Sequence, residues 1–207
     1  MLKRKIYIII SVLISLSILF SGCEKEEKKE ETKQTADITF QMKMSDSFNP
    51  LNAESQGVRD ALSLCYEPLF ALDEKMMPYG VLADSITVSE DCMSAIVTLK
   101  EAVTWHDGIS FTSADVVHTI ELIKNNSASP YSECVKYIEN VKSLEPLSLK
   151  MNFSKPYGQI IYSLYFPIVA SHNKNPDEKI IGTGPYSYDS YAAAVSLNLK
   201  KNMALFQ

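Results

Sequence analysis

The spacing of apolar residues divides the chain into three stretches. Ile6 to Phe20 is a 15-residue run, apolar apart from three serines. Glu24 to Thr35 contains no apolar residue. From Ala36 onward, apolar and polar positions alternate with the periods of strands and helices.

Within the third stretch the pattern predicts the following elements. Ile38 to Met44 alternates loosely and reads as a first strand, broken by Asn49-Pro50. Val58, Ala61, Leu62 and Cys65 share one helix face, and Pro68 ends that helix. Ser85 to Ser89 and Ser94 to Lys100 read as a strand pair. Asp107-Gly108 marks a turn. Thr112 with Asp115 has the shape of a capping box. Val116, Val117, Ile120 and Ile123 then continue a helix up to Asn125-Asn126. Leu147, Leu149, Met151 and Phe153 alternate with polar residues, as in a half-buried strand. Ile160 to Leu164 reads as a short apolar helix, and Phe166 to Ala170 as a buried strand. Gly182 to Tyr186 is a tight loop whose glycines point to positive φ. Val195, Leu197 and Leu199 mark a final strand. Strands outnumber helices and come partly in runs, so the class is α/β in the mixed α+β sense.

The first stretch concerns address. Lys3, Arg4 and Lys5 precede the apolar run, which is short of the ~20 residues a spanning helix needs. Ser21-Gly22-Cys23 follows. This order fits a signal peptide over residues 1–22, and the small residues before Cys23 resemble a bacterial lipobox, with Cys23 as the acylated first residue of the mature chain. Phe20 departs from that motif, which has leucine there. Residues 23–36 then read as a charged tether or a single charged helix, a spacer either way. The folded part is expected over residues 37–207.

Charge narrows the partners. The formal net charge is -5, and losing Lys3, Arg4 and Lys5 would take it to -8. A nucleic-acid partner would need a clustered basic face, and none shows.

Catalytic motifs are missing from the sequence. It has no G-x-S-x-G or H-E-x-x-H, and no P-loop or G-x-G-x-x-G. Gly182 and Gly184 form a G-x-G followed by Pro185, which reads as a turn and not a phosphate site. His106 with Asp107 is the best candidate ligand pair, but the Asp-Gly turn accounts for Asp107 without a metal. No C-x-x-C occurs. Cys65 falls on the apolar helix face as a buried thiol, while a Cys92–Cys134 pairing stays open. The tyrosines serve the core or a ligand groove, and Tyr131, in Ser129-Pro130-Tyr131, is the foremost groove candidate.

The order of motifs carries a resemblance. Leu64 to Phe70 (LCYEPLF) is followed by Leu82 to Ser85 (LADS), Val103 to Gly108 (VTWHDG), Phe111 to Val117 (FTSADVV) and Gly182 to Tyr186 (GTGPY). This resembles extracellular solute-binding protein family 5, the receptors of oligopeptide and dipeptide ABC importers, over about residues 37 to 202. In that family the pieces run Y-E-x-L, L-A-x-S-W, D-G-x-x-x-T-x-x-D-V and G-T-G-P-Y.

The resemblance implies a partial periplasmic-binding-protein-like type II fold: the first lobe with its sheet-rich subdomain, and the second lobe missing. Family members are more than twice as long. They continue N-P-x-Y-W where this sequence has Asn202-Met203-Ala204. It also implies that Met44, Ser45, Asp46, Ser47 and Phe48 line the cleft and pair with an extended peptide backbone. Tyr131 would face the ligand, and Gly182 to Tyr186 would serve structure. The implied partners are a peptide or similar small solute, the permease subunits of an ABC transporter, and the membrane through the lipid anchor. A monomer on the extracytoplasmic face is expected, with no cofactor, no metal and no enzymatic activity. The alternatives are a truncated fragment that binds nothing and a lipid-anchored surface scaffold.

Overall fold

A computed structural model describes residues 37–41 and 47–203. The expectations for the leader, Cys23, the tether, Met44, Ser45 and Asp46 fall outside these residues.

Three antiparallel sheets share one apolar core. The elements in chain order are β1 (Ile38–Gln41), α1 (Gln56–Leu62), β2 (Phe70–Leu72), β3 (Pro78–Gly80), β4 (Ala83–Val88), β5 (Ser94–Leu99), α2 (Ser113–Lys124), α3 (Ser132–Val135), β6 (Ile138–Glu145), β7 (Ser148–Phe153), a 3-10 turn (Ile160–Ser163), β8 (Tyr186–Ala192) and β9 (Ser196–Lys201). The first sheet has the order β1-β9-β8, the second is the β2-β3 hairpin, and the third has the order β4-β5-β7-β6. The mixed α+β class is therefore as expected.

The four-stranded sheet follows from its alternation. Ala95, Val97 and Leu99 are buried on β5, and Leu149, Met151 and Phe153 on β7. Register pairs Ala95 with Met151 and Val97 with Leu149, so the buried side chains meet across the ladder. Such cross-strand pairs are the unit of sheet stability. Helix α2 lays Val116, Ile120 and Ile123 against β6 and β7.

The α2 capping box forms. Asp115 does more than cap: it is 3% exposed. Its Oδ2 accepts from the Thr112 backbone N–H at 2.9 Å, the Thr112 hydroxyl at 3.3 Å and the Trp105 indole at 3.3 Å. Its Oδ1 accepts from the Ser171 backbone N–H at 2.9 Å and the Ser171 hydroxyl at 2.7 Å. One carboxylate thus ties the helix start, the Trp105 loop and Ser171 together.

The glycine loop corrects an expectation. Among the described glycines only Gly108 has positive φ, at 85°. Gly182 and Gly184 are required by close approach instead. A Cβ on Gly182 would stand 1.7 Å from the Cys65 carbonyl oxygen, and one on Gly184 would stand 2.6 Å from that of Leu64. The Gly184 N–H donates to Cys65 O at 2.9 Å, and the Tyr186 N–H to Leu64 O at 3.0 Å. The loop is pressed backbone to backbone against the end of the α1 segment.

Further differences from the expected pattern are local. Phe166 to Ala170 is buried but forms no strand, only a bridge from Pro167 to Pro68. Prolines lack the N–H a ladder needs. Ile160 to Ser163 is a single 3-10 turn. Val195 belongs to the β8–β9 turn and is exposed, while Leu197 and Leu199 are buried. Cys65, Cys92 and Cys134 are all free thiols, so the open Cys92–Cys134 pairing is not made.

Candidate functional site

The aromatic character of the chain converges on one open pocket of about 170 Å³. Helix α1 supplies Arg59 and Leu62. The loop before α3 supplies Tyr131, and the strand-like segment after the 3-10 turn supplies Tyr165 and Pro167. Pro50, Ser63, Tyr66 and Pro68 complete the wall. Local bonds fix these pieces. The buried Ser129 hydroxyl donates to Leu51 O at 2.8 Å, and the Asn126 amide to Asn52 Oδ1 at 3.0 Å. These bonds hold the Tyr131 loop beside residues 49–53. The Pro68–Pro167 bridge sets Tyr165 opposite.

Tyr131 stands edge to face with Tyr165, 6.3 Å between centroids, and tilted at 55° to the buried Phe166 at 6.5 Å. That geometry suits aromatic quadrupoles. Burial pushes the Tyr131 hydroxyl up, and the positive charge of Arg59 pulls the other way. Tyr165 is pushed up to about 12, mainly by its hydrogen bond to the Cys134 thiol and then by burial. Both phenols therefore stay protonated near neutral pH, the Tyr165 proton being donated to the Cys134 sulfur. Tyr165 is 51% exposed, so one side of the pocket faces solvent.

Ser47 and Phe48 lie elsewhere. The Asp177 Oδ1 accepts from the Ser47 hydroxyl at 2.7 Å, the Phe48 N–H at 2.8 Å and the Asn49 N–H at 3.1 Å. The Phe48 ring stands edge-on to Tyr191 of β8, 4.7 Å away. Neither Ser47 nor Phe48 lines the Tyr131 pocket, although Pro50, two residues on, does. The 47–50 segment thus reaches the Tyr131 pocket only through Pro50.

Arg59, Tyr165 and Asp177 escaped the sequence reading. Arg59 had a signal: the sequence holds two arginines, Arg4 and Arg59, among 20 Lys and Arg. Tyr165 and Asp177 sit in stretches without periodicity and gave none.

The His106–Asp107 pair is split between two partners. The His106 Nδ1 accepts from the Gly182 N–H at 3.2 Å, so Nε2 carries the proton and donates to Gly184 O at 3.0 Å. Burial holds its pKa below the usual imidazole value. Asp107 instead meets His172 Nε2 at 2.9 Å. Among the described residues, no three His, Cys, Asp or Glu are grouped to hold a metal. His106 is a brace for the glycine loop.

Comparison with known proteins sets this geometry in context. Residues 77–204 match the bacterial extracellular solute-binding proteins, family 5 Middle. The glutathione-binding protein GsiB of Escherichia coli O6:K15:H31 is 28% identical over 172 residues, covering 78% of this chain and 33% of that protein. NikZ from Campylobacter jejuni, solved in complex with Ni(L-His), is 28% identical with a TM-score of 0.63, over 71% of this chain and 31% of that one. The oligopeptide-binding protein AppA of Bacillus subtilis, solved with a nonapeptide, shares the fold with a TM-score of 0.69 at 22% identity, over 77% and 35% of the two chains. This chain spans about a third of the length of the relatives it matches, so its sheets and pocket correspond to part of a type II periplasmic-binding-protein fold. On the match across most of its folded residues, the chain belongs to the bacterial extracellular solute-binding proteins of family 5.

Proposed function

We propose that the chain acts as the substrate-binding component of an ABC importer, taking oligopeptides, dipeptides or similar small solutes on the extracytoplasmic face. The observation that carries this reading is the open aromatic pocket around Tyr131. It offers ring faces, protonated phenols and one guanidinium, and it lies on the fold of a solute-binding family. Such a site binds and releases without chemistry. The segment through Met44, Ser45, Asp46, Ser47 and Phe48 would pair with an extended peptide backbone, and Tyr131 would flank a side chain. Acylation of Cys23 would hold the protein at the membrane surface. Among the described residues, no helix is long and apolar enough to cross a membrane.

Thermal unfolding with and without a large excess of mixed short peptides tests the reading. A ligand that binds only the folded state, at 100 times its Kd, adds about 2.7 kcal/mol. A raised midpoint is expected, and an unmoved one overturns peptide binding by this chain. For the anchor, Cys23→Ala is expected to release the protein from the membrane fraction of expressing cells. Unchanged retention would refute acylation at Cys23.

A further inference from the structure

Arg59 stands apart in this chain. The sequence uses lysine almost everywhere, and Arg4 is the only other arginine. A lysine offers a point charge, whereas a guanidinium offers a planar fork of donors. The pocket therefore holds the one fork in the folded part of the chain.

The donors of that fork can be accounted for. A guanidinium has five N–H donors. Nη1 donates to Ala53 O at 3.1 Å and to Glu54 O, and Nη2 donates to Gln56 Oε1 at 2.6 Å. Three donors are spent, so two remain. The three acceptors are two backbone carbonyls and an amide, all neutral. Among the described residues, Arg59 takes part in no ion pair. No carboxylate faces it in a pocket whose other polar side chains, Ser63, Tyr66, Tyr131 and Tyr165, are neutral hydroxyls, with Ser63 donating to Asp60 O at 2.7 Å and Tyr165 to the Cys134 sulfur.

We propose that this pocket recognises an organic carboxylate, its two oxygens on the unspent donors of Arg59 and its apolar body against the rings of Tyr131 and Tyr165. Two donors match one bidentate carboxylate. The apolar lining from Leu62, Pro50 and Pro167 suits a ligand that is charged at one end only. The inference rests on the receptor reading and gives it a ligand class. A peptide C-terminus and a free organic acid share this chemistry.

The test is calorimetric titration of the full chain with three probes: the dipeptide Ala-Phe, its C-terminal amide, and 3-phenylpropionate. The amide is expected to bind tenfold or more weakly than Ala-Phe, since it removes the charge from the hydrogen bonds. Tight 3-phenylpropionate binding assigns the site to organic acids in general, and binding of Ala-Phe alone assigns it to peptide termini. Both outcomes support the carboxylate. Arg59→Gln is expected to bring acid and amide to equal affinity. Arg59→Lys, which keeps the charge, should retain part of the preference. Should Arg59→Gln fail to fold, the acid-to-amide ratio in Arg59→Lys against the parent carries the test.

Equal affinity of acid and amide in the parent chain overturns the proposal. So does an unchanged preference in both Arg59 variants. If no probe binds while mixed peptides still raise the unfolding midpoint, the carboxylate assignment falls and the receptor reading stands. If mixed peptides also have no effect, both fall.

Discussion

Two polar residues, Asp115 buried and His106 half-buried, illustrate how much one side chain can organise. Asp115 accepts five hydrogen bonds with almost no solvent contact. Asp115→Ala would leave the Trp105 indole and the Ser171 N–H without their acceptor. Buried donors left unpaired cost about 1–3 kcal/mol each. A loss of about 3 kcal/mol or more in urea-unfolding stability is expected; a loss under about 1 kcal/mol would refute its role as a node. The sequence showed the Thr112–Asp115 spacing but not the partners from Trp105 and Ser171, because their bonds span 10 and 56 residues. His106 gives a pH dependence. Its neutral ring accepts from Gly182 and donates to Gly184, and protonation at Nδ1 removes the acceptor. The folded pKa is depressed below 6.5, so below that pH the unfolded chain binds the proton first and stability falls. His118 is shifted the same way, by burial first. Gln at position 106 can accept and donate in the same places without titrating. His106→Gln should therefore flatten part of the stability loss between pH 7 and 5 seen by chemical unfolding. An identical slope in both proteins would exclude His106 as a source.

Elements with a strict period were legible, and those set by distant neighbours were not. Strand β7 and helix α2 each bury one face at the expected spacing. Strand β8 escaped because its residues YSYDSYA are all exposed or half-buried, so no alternation survives. Strand β6 buries only Ile138 and Val141. The β2–β3 hairpin is three residues a side and too short to show a period. Its turn carries a stability prediction. Met76 adopts φ of 62° and is 65% exposed. A side chain there is strained and gains little burial. Met76→Gly is expected to stabilise the protein by roughly 0.5–1 kcal/mol, read as a higher thermal midpoint. A lower midpoint would show that the methionine packs usefully. At Gly182 the reverse holds. Gly182→Ala forces a Cβ into the Cys65 carbonyl, and a loss of about 3 kcal/mol or failure to fold is expected. Near-normal stability would show that the loop yields.

At the scale of the molecule, the family motifs proved to be joints of the fold. The segment around Cys65, the His106 turn, the Thr112–Asp115 cap and the GTGPY loop touch one another through Cys65–Gly184, His106–Gly182 and Asp115–Trp105 bonds. That is why their order could identify the fold while saying little about the ligand. The pocket was only partly legible. Tyr131 stood out by its loop, whereas Tyr165 and Arg59 reach it through packing that no local pattern encodes. The architecture also joins its two ends: Ile38 to Gln41 pair with Leu199 to Ser196 in register. Strand β1 lies at the edge of its sheet, held by that one ladder. Any mechanical pull transmitted through residue 37 therefore falls first on four residue pairs. Under load β1 would peel away before the rest of the core yields. The bared edge of β9 would then be a template for another strand, which makes the point of tension also a point of exposure to aggregation.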